Sequence, residues 1–272
     1  MNTDEMKEYI LQFQENDASN RIGADIAKKP EYSGMKIHKG VICGVAAAND
    51  EIIASLKANK EANIDMMQPE EWLPGAKSVI SFFTPFNRWI TEENADGNWP
   101  SGAWLHGRIE GQASANKAFS ELADIIRREG HDVVIPTLDP RIKVFMKYAG
   151  YPKSLYTTNW AERHVAFAAG LGTFGLSRGV ITELGMAGRF MSMVTTLEID
   201  PTPRPYTGLL EYCAKCGECI RACPPGAISL ERLKDHDICD AYLLGIRQKE
   251  EPYYGCGKCQ CGVPCSFGIP VI

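Results

Sequence analysis

Cys213-Ala-Lys-Cys216-Gly-Glu-Cys219-Ile-Arg-Ala-Cys223-Pro224 is the stretch that decides this chain. Three cysteines two residues apart, then a fourth after three residues and before a proline, make the bacterial spacing for an iron–sulfur centre. In two-cluster proteins the close three hold one cluster and the fourth reaches the other. A second group follows, Cys239 and then Cys256-Gly-Lys-Cys259-Gln-Cys261-Gly-Val-Pro-Cys265, so nine of the ten cysteines fall within 53 residues. Two [4Fe–4S] clusters need eight thiolates. The spacing assigns Cys213, Cys216, Cys219 and a returning Cys265 to one cluster. Cys223, Cys239, Cys256 and Cys259 go to the other, with Cys261 spare and the choice between Cys261 and Cys265 open. Cys-x2-Cys pairs also build zinc sites, the first competing reading. Disulfides are the second, and the absence of a secretory signal weighs against them.

A chain of 272 residues exceeds a ferredoxin alone and suits one substantial domain with a small one attached. Pro201, Pro203 and Pro205 mark the linker, giving a first domain over 1–205 and a cysteine-rich domain over 206–272. The net charge is −5, and neither part carries a basic stripe, which argues against a nucleic-acid surface. No apolar window reaches membrane-spanning length, and the first residues hold neither a twin-arginine pair nor an apolar run. The expectation is a soluble, cytoplasmic, membrane-free protein from an oxygen-poor setting.

Residues 3–15 read as a helix capped by Thr3, 41–46 as a buried strand with Cys43 as a small core residue, and 49–60 as a second helix. Residues 78–83 read as a strand, 86–104 as a long loop holding Trp89, Trp99 and Trp104, and 111–129 as a helix ended by Gly130. Val133–Pro136 and Phe190–Leu197 read as further strands, and Ala227–Leu230 as a short strand or helix start. Helices mixed with strands indicate a layered α/β first domain and an α+β protein overall. The run Gly170-Leu-Gly172-Thr173-Phe174-Gly175-Leu176-Ser177-Arg178-Gly179 lacks the strand–turn–helix setting of a dinucleotide fingerprint. It suits either a tight turn or close backbone approach to a flat cofactor.

Trp160-Ala-Glu162-Arg163, Ala169-Gly-Leu-Gly172-Thr173-Phe174-Gly175 and the cysteine-rich region resemble the epoxyqueuosine reductases and the corrinoid-dependent reductive dehalogenases. Leu73-Pro-Gly-Ala-Lys-Ser-Val-Ile-Ser81 and His106-Gly-Arg108 are similar to the same family. The resemblance implies a nitroreductase-like domain holding a base-off cobalamin, followed by a ferredoxin-like domain with two [4Fe–4S] clusters. It points to Gly172, Thr173, Phe174, Gly175, Leu176, Ser177 and Arg178 as cofactor-binding residues. Two departures stand out. The sequence stops seven residues after Cys265, without the family's helical tail, and Tyr156 stands where the family places a catalytic Asp.

These readings favour an oxidoreductase that passes electrons through two clusters to cobalamin and reduces a small substrate, supplied by a reductant protein such as ferredoxin or flavodoxin. Tyr156 is the first proton-donor candidate, since its ordinary pKa of about 10 suits a donor, with His106 and His164 behind it. The alternatives are an electron-transfer partner that activates a corrinoid protein, and an FMN-dependent reductase.

Overall fold

The computed structural model describes residues 1–59, 64–145 and 157–271. The first half contains α1 (Thr3–Asn16), β1 (Ile42–Ala47), α2 (Glu51–Ser55), α3 (Pro69–Trp72), β2 (Ser78–Pro85), α4 (Arg88–Glu93) and α5 (Gly102–Arg128). Then come β3 (Val133–Val134), β4 (Val144–Phe145), β5 (Thr157–Thr158), α6 (Glu162–Ala168), β6 (Gly172–Phe174), β7 (Val180–Thr182) and β8 (Gly188–Thr195). The cysteine-rich segment adds α7 (Glu218–Arg221), β9 (Ile228–Ser229), β10 (Leu233–Lys234) and α8 (His236–Glu250).

An antiparallel sheet in the order β1-β2-β8-β3 lies at the centre of the part that precedes the cysteine-rich segment. Every residue of β2 is buried, as a strand covered on both faces requires. Alternate residues serve opposite faces. Val45, Ile80, Phe82, Met191 and Met193 pack against Met6, Ile10 and Phe13 of α1 and Ala115, Phe119, Leu122 and Ile126 of α5. Ala46, Val79 and Val194 meet Ile53, Trp72, Trp160, Val165 and Ala168 on the other side. Each such aliphatic or aromatic side chain contributes about 1.5–3 kcal/mol by leaving water. The layered reading holds, with helices packed on both faces of the sheet.

One feature of the sheet positions the site. Strand β3 pairs with β8 only through Val133–Thr195 and Val134–Val194. Among the described residues, the Gly188–Met193 stretch of β8 therefore has no strand on that side. An open edge with unpaired backbone groups is normally covered by something else.

Several boundaries differ from expectation. Asn2, not Thr3, caps α1, because Asn2 accepts from the Asp4 and Glu5 amides while the Glu5 carboxylate returns to the Asn2 amide. Helix α2 stops at Ser55, and Ala58 then turns the chain with a left-handed backbone held to the Asp65 carboxylate at 3.1 Å. The tryptophan-bearing segment is not a long loop. It forms α4 and the first turn of α5, whose amide at Trp104 is capped by Ser101 Oγ at 3.1 Å. Gly102, Gly107 and Gly111 hide this helical start in the sequence, and Gly107 and Gly111 lie where a Cβ would press on Phe86, Ile37 and His38.

That segment carries the cysteine-rich region. Asn94, fully buried, donates to Cys256 O at 3.0 Å and accepts from the Ser101 amide at 2.9 Å. The buried Lys258 ammonium reaches Asn94 O at 3.0 Å and Asp96 O at 2.5 Å. Trp99 Nε1 donates to Glu250 at 2.9 Å, and Trp104 lies under Gly257. Among the described residues no helix is long and apolar enough to cross a membrane.

Candidate functional site

Two groups of thiols come together in the cysteine-rich segment. Cys213, Cys216, Cys219 and Cys265 line one pocket of about 350 Å³, walled by Leu176, Ser177 and Val263. Cys216 is exposed and the other three are half-buried. Burial, followed by the thiolates of Cys219, Cys213 and Cys216, pushes the Cys265 thiol up to about 12. Cys223, Cys239, Cys256 and Cys259 form the second group. Burial and then Cys259, Cys239 and Cys223 raise Cys256 to about 12. Lys234 Nζ approaches Cys259 Sγ at 3.6 Å, and the Ala227 amide donates to Cys223 Sγ at 3.2 Å.

Crowded, buried thiols disfavour ionisation, and a cationic metal among them would favour the thiolate form instead. Among the described residues no three His, Cys, Asp or Glu side chains converge as a single metal ion would need. The first four instead surround a pocket, which suits a polynuclear centre. The segment's own apolar cluster is small, Leu176, Ile228 and Cys259 with Cys213, Cys219, Ile220, Cys223 and Leu233, so a metal staple would hold much of it together. Cys261 has Cys259 and Cys256 as electrostatic neighbours, but it packs into a different cluster. It is buried with Ile90, Trp104 and Ala187, and its sulfur accepts from Asn94 Nδ2 at 3.4 Å. Cys43 lies in β1 against the main core.

Beside the second group four arginines gather near the edge of β8 that carries no strand among the described residues. Arg189 projects from β8 toward α5, where Gln112 accepts from it. Arg108, also on α5, stacks over Tyr254 at 4.9 Å. Arg163 at the start of α6 donates to Arg178 O at 2.6 Å. Burial and then mutual repulsion hold the Arg189 guanidinium down to about 9, with Arg108 the foremost neighbouring charge. Arg163 is solvent-exposed yet held below its ordinary value by surrounding protein, the combination expected of a side chain lining a concave recess. The Nε atoms of Arg108, Arg178 and Arg189 are buried without a hydrogen-bond partner.

Glu162 supplies an acid beside Arg189. Its carboxylate oxygens are buried and, although Ser192 and Thr137 lie nearby, neither makes a hydrogen bond of normal geometry to them. Burial pushes this carboxyl from 4.5 up to about 7, against the opposing pull of Ser192, Arg189 and Thr137. Between those values the folded protein keeps a proton that the unfolded chain has lost. Stability attributable to Glu162 therefore falls as pH rises through that window. Glu162→Gln should gain about 1–3 kcal/mol over the native chain at pH 8 relative to pH 4.5, read by urea denaturation at both pH values. Equal pH profiles would refute the assignment.

The other sequence candidates are distributed unevenly. Tyr156 lies outside the described residues. His106 is fully buried, accepting from the Lys28 amide at 3.0 Å through Nε2 and meeting Glu110 at 2.9 Å through Nδ1. Both ring nitrogens are thus engaged, Nε2 tying α5 to the 20–38 segment and Nδ1 pairing within α5. His164 tilts against Phe174, and burial and then Arg163 lower it to about 4, leaving it neutral near pH 7. The glycine-rich run forms the β6–β7 hairpin. Gly172 opens it where a Cβ would stand 1.9 Å from Ile181 O. Thr173 Oγ1 accepts from the Tyr212 amide at 2.8 Å, and the Phe174 amide donates to Leu209 O at 2.8 Å. Thr173 and Phe174 thus tie the cysteine-rich segment to the first domain, Gly175, Leu176 and Ser177 wall the first thiol pocket, and Arg178 joins the recess. Sequence reasoning missed Arg189, Asn94 and Lys258. Arg189 has only its place after Gly188 at a strand start as a signal, and the others have none.

No protein-family model matches the chain. A curated epoxyqueuosine reductase from Listeria monocytogenes is 31% identical over 114 residues, covering 38% of this chain and 29% of that protein. An epoxyqueuosine reductase structure from Streptococcus thermophilus superposes with a TM-score of 0.53 at 20% identity, covering 85% of this chain and 64% of that one. A catabolic reductive dehalogenase gives 0.53 at 15% identity, over 99% of this chain and 37% of its own. This chain therefore spans less than two thirds of the length of each. Another similar structure shows an epoxyqueuosine reductase with a tRNA stem loop, so the expectation that nucleic acid is excluded finds no support among the relatives. The chain is similar to the epoxyqueuosine reductases in sequence and fold, and to a reductive dehalogenase in fold, as its motifs imply.

Proposed function

We propose that this chain is a corrinoid-dependent iron–sulfur oxidoreductase of the reducing cytoplasm. In this reading residues 1–205 form a nitroreductase-like domain and 206–272 a ferredoxin-like one. Cys213, Cys216, Cys219 and Cys265 hold one [4Fe–4S] cluster, and Cys223, Cys239, Cys256 and Cys259 hold the other. The observation that carries it is the order of the parts: a half-buried thiol group with one exposed member, Cys216, a second half-buried group with one buried member, Cys259, and then arginines and an acid whose buried polar atoms have no partner among the described residues.

The recess suits an amide-rich corrinoid, because the free Nε donors of Arg108, Arg178 and Arg189 and the free Glu162 carboxyl match carbonyl and amide groups. When bound, the clusters would carry single electrons inward and the corrinoid would supply the reducing centre. The chain itself provides the rest. Exposed Cys216 marks the side on which a ferredoxin or flavodoxin would deliver electrons. Arg163 and Lys234 set positive charge beside the Cys239 and Cys259 thiolates, which favours a reduced centre there. Glu162, retaining a proton near neutral pH, is placed to supply one.

Anaerobic reconstitution with iron, sulfide, hydroxocobalamin and FMN, followed by metal and flavin analysis, tests this reading. About eight irons and one cobalt per chain is the expected result. One flavin in place of cobalt would convert the proposal to an FMN reductase. Eight irons with neither would leave an electron-transfer partner of another enzyme.

A further inference from the structure

The four arginines of the recess share a property that the corrinoid reading does not use. Arg108, Arg163, Arg178 and Arg189 enter no ion pair among the described residues, and neither do the exposed Arg21, Arg128 and Arg247, whereas Arg88, Arg127, Arg141, Arg204, Arg221 and Arg232 each hold a carboxylate. What sets the recess apart is the buried, unpartnered Nε of Arg108, Arg178 and Arg189. Their partners are neutral: Arg108 has the Tyr254 ring, Arg189 has Gln112, and Arg163 has a backbone carbonyl. The segment 146–156, Met-Lys-Tyr-Ala-Gly-Tyr-Pro-Lys-Ser-Leu-Tyr, contains no acidic side chain. Asp235, an electrostatic neighbour of Arg178, is shared with Arg232. Glu162 offers one carboxyl for Arg189. Leaving guanidinium groups partly desolvated and unpaired costs several kcal/mol each unless an anion joins them. Arg163 and Lys234 answer to the second thiol group, but Arg108 and Arg189 lie on the side of α5 and β8, where Glu162, which burial inclines to keep its proton, is the acidic neighbour of Arg189.

We propose that the recess between α5, α6 and the open edge of β8 binds a small oxyanion, the carboxylate or phosphate of the substrate, clamped by Arg108 and Arg189. The guanidinium fork matches both groups in two-point geometry, whereas a lysine would not fix orientation. The inference rests on the recess serving as the substrate site of the proposed oxidoreductase, but the oxyanion site itself stands or falls separately.

Inorganic phosphate is the probe, titrated calorimetrically at constant ionic strength into protein reconstituted with iron and sulfide, with iron and cobalt measured on the same sample. A saturable single site is expected, weakened at least tenfold in Arg108→Gln and in Arg189→Gln with iron content unchanged. No saturable binding, or binding indifferent to both substitutions, overturns the proposal. A corrinoid also carries a phosphodiester. If hydroxocobalamin loading abolishes phosphate binding while loading with cobinamide, which lacks that group, leaves it intact, the oxyanion is the cofactor's and the substrate assignment is overturned. Phosphate binding retained in protein that takes up no cobalt would refute the corrinoid reading and leave the oxyanion site standing.

Discussion

Cys259→Ala should lose about four of eight irons after reconstitution, whereas Cys261→Ala, two residues on, should keep all eight. The contrast follows from where the two sulfurs sit. Cys259 is an electrostatic neighbour of Cys223, Cys239 and Cys256 and lies in the small core shared with Cys213 and Cys219. Cys261 also has Cys259 and Cys256 as electrostatic neighbours, but its sulfur meets Asn94 and it packs in the cluster of Ile90 and Trp104. Cys216→Ala should remove the other cluster, and Cys43→Ala should change nothing in the metal count. Iron analysis and low-temperature electron paramagnetic resonance of the reduced protein would read all four. Loss of four irons from Cys261→Ala, with Cys259→Ala unaffected, would reverse the ligand assignment.

The second large effect concerns the joint between the two parts. Gly257 has φ +66°, and a Cβ there would lie 2.0 Å from the Trp104 ring. Gly257→Ala therefore combines left-handed strain with a steric clash, for an expected loss of roughly 2–5 kcal/mol. Gly226 makes a matched control. Its φ is +65°, but no atom lies within 4 Å of an added Cβ, so Gly226→Ala should cost only about 1 kcal/mol. Chemical denaturation of both variants measures the difference. Because Cys256 and Cys259 flank Gly257, the damaging variant should also bind less iron in the second group. Equal costs for the two substitutions would show that Trp104 yields, and that the contact does not hold the segment in place.

Much of the chain was legible without coordinates because the signals are local. Thiolate spacing is a local constraint, so the cysteine run announced a metal-bearing segment directly. Strands β1 and β2 declared themselves through largely apolar runs, as strands buried on both faces do, and β8 through its alternating character. Other features were hidden by local composition. Glycines at 102, 107 and 111 lower helix propensity, and only the close approach of Tyr32, Phe86 and Ile37 explains their presence in α5. His106 read as a possible proton donor because sequence shows a side chain without its partners. The Lys28 amide and Glu110 that occupy its ring nitrogens lie 78 and 4 residues away.

The sequence by itself determined that nine thiols would gather in one segment and that a layered α+β domain would precede it. Tertiary structure decided which thiols share a pocket, and it separated Cys261 from Cys259 by directing their side chains into different clusters. It alone assembled the recess, because Arg108, Arg163, Arg178 and Arg189 come from two helices, a hairpin and a strand. Charges so far apart in the chain carry no mutual signal in sequence. They become a site only when the sheet leaves one edge of β8 open and packing holds α5 and α6 on either side of it.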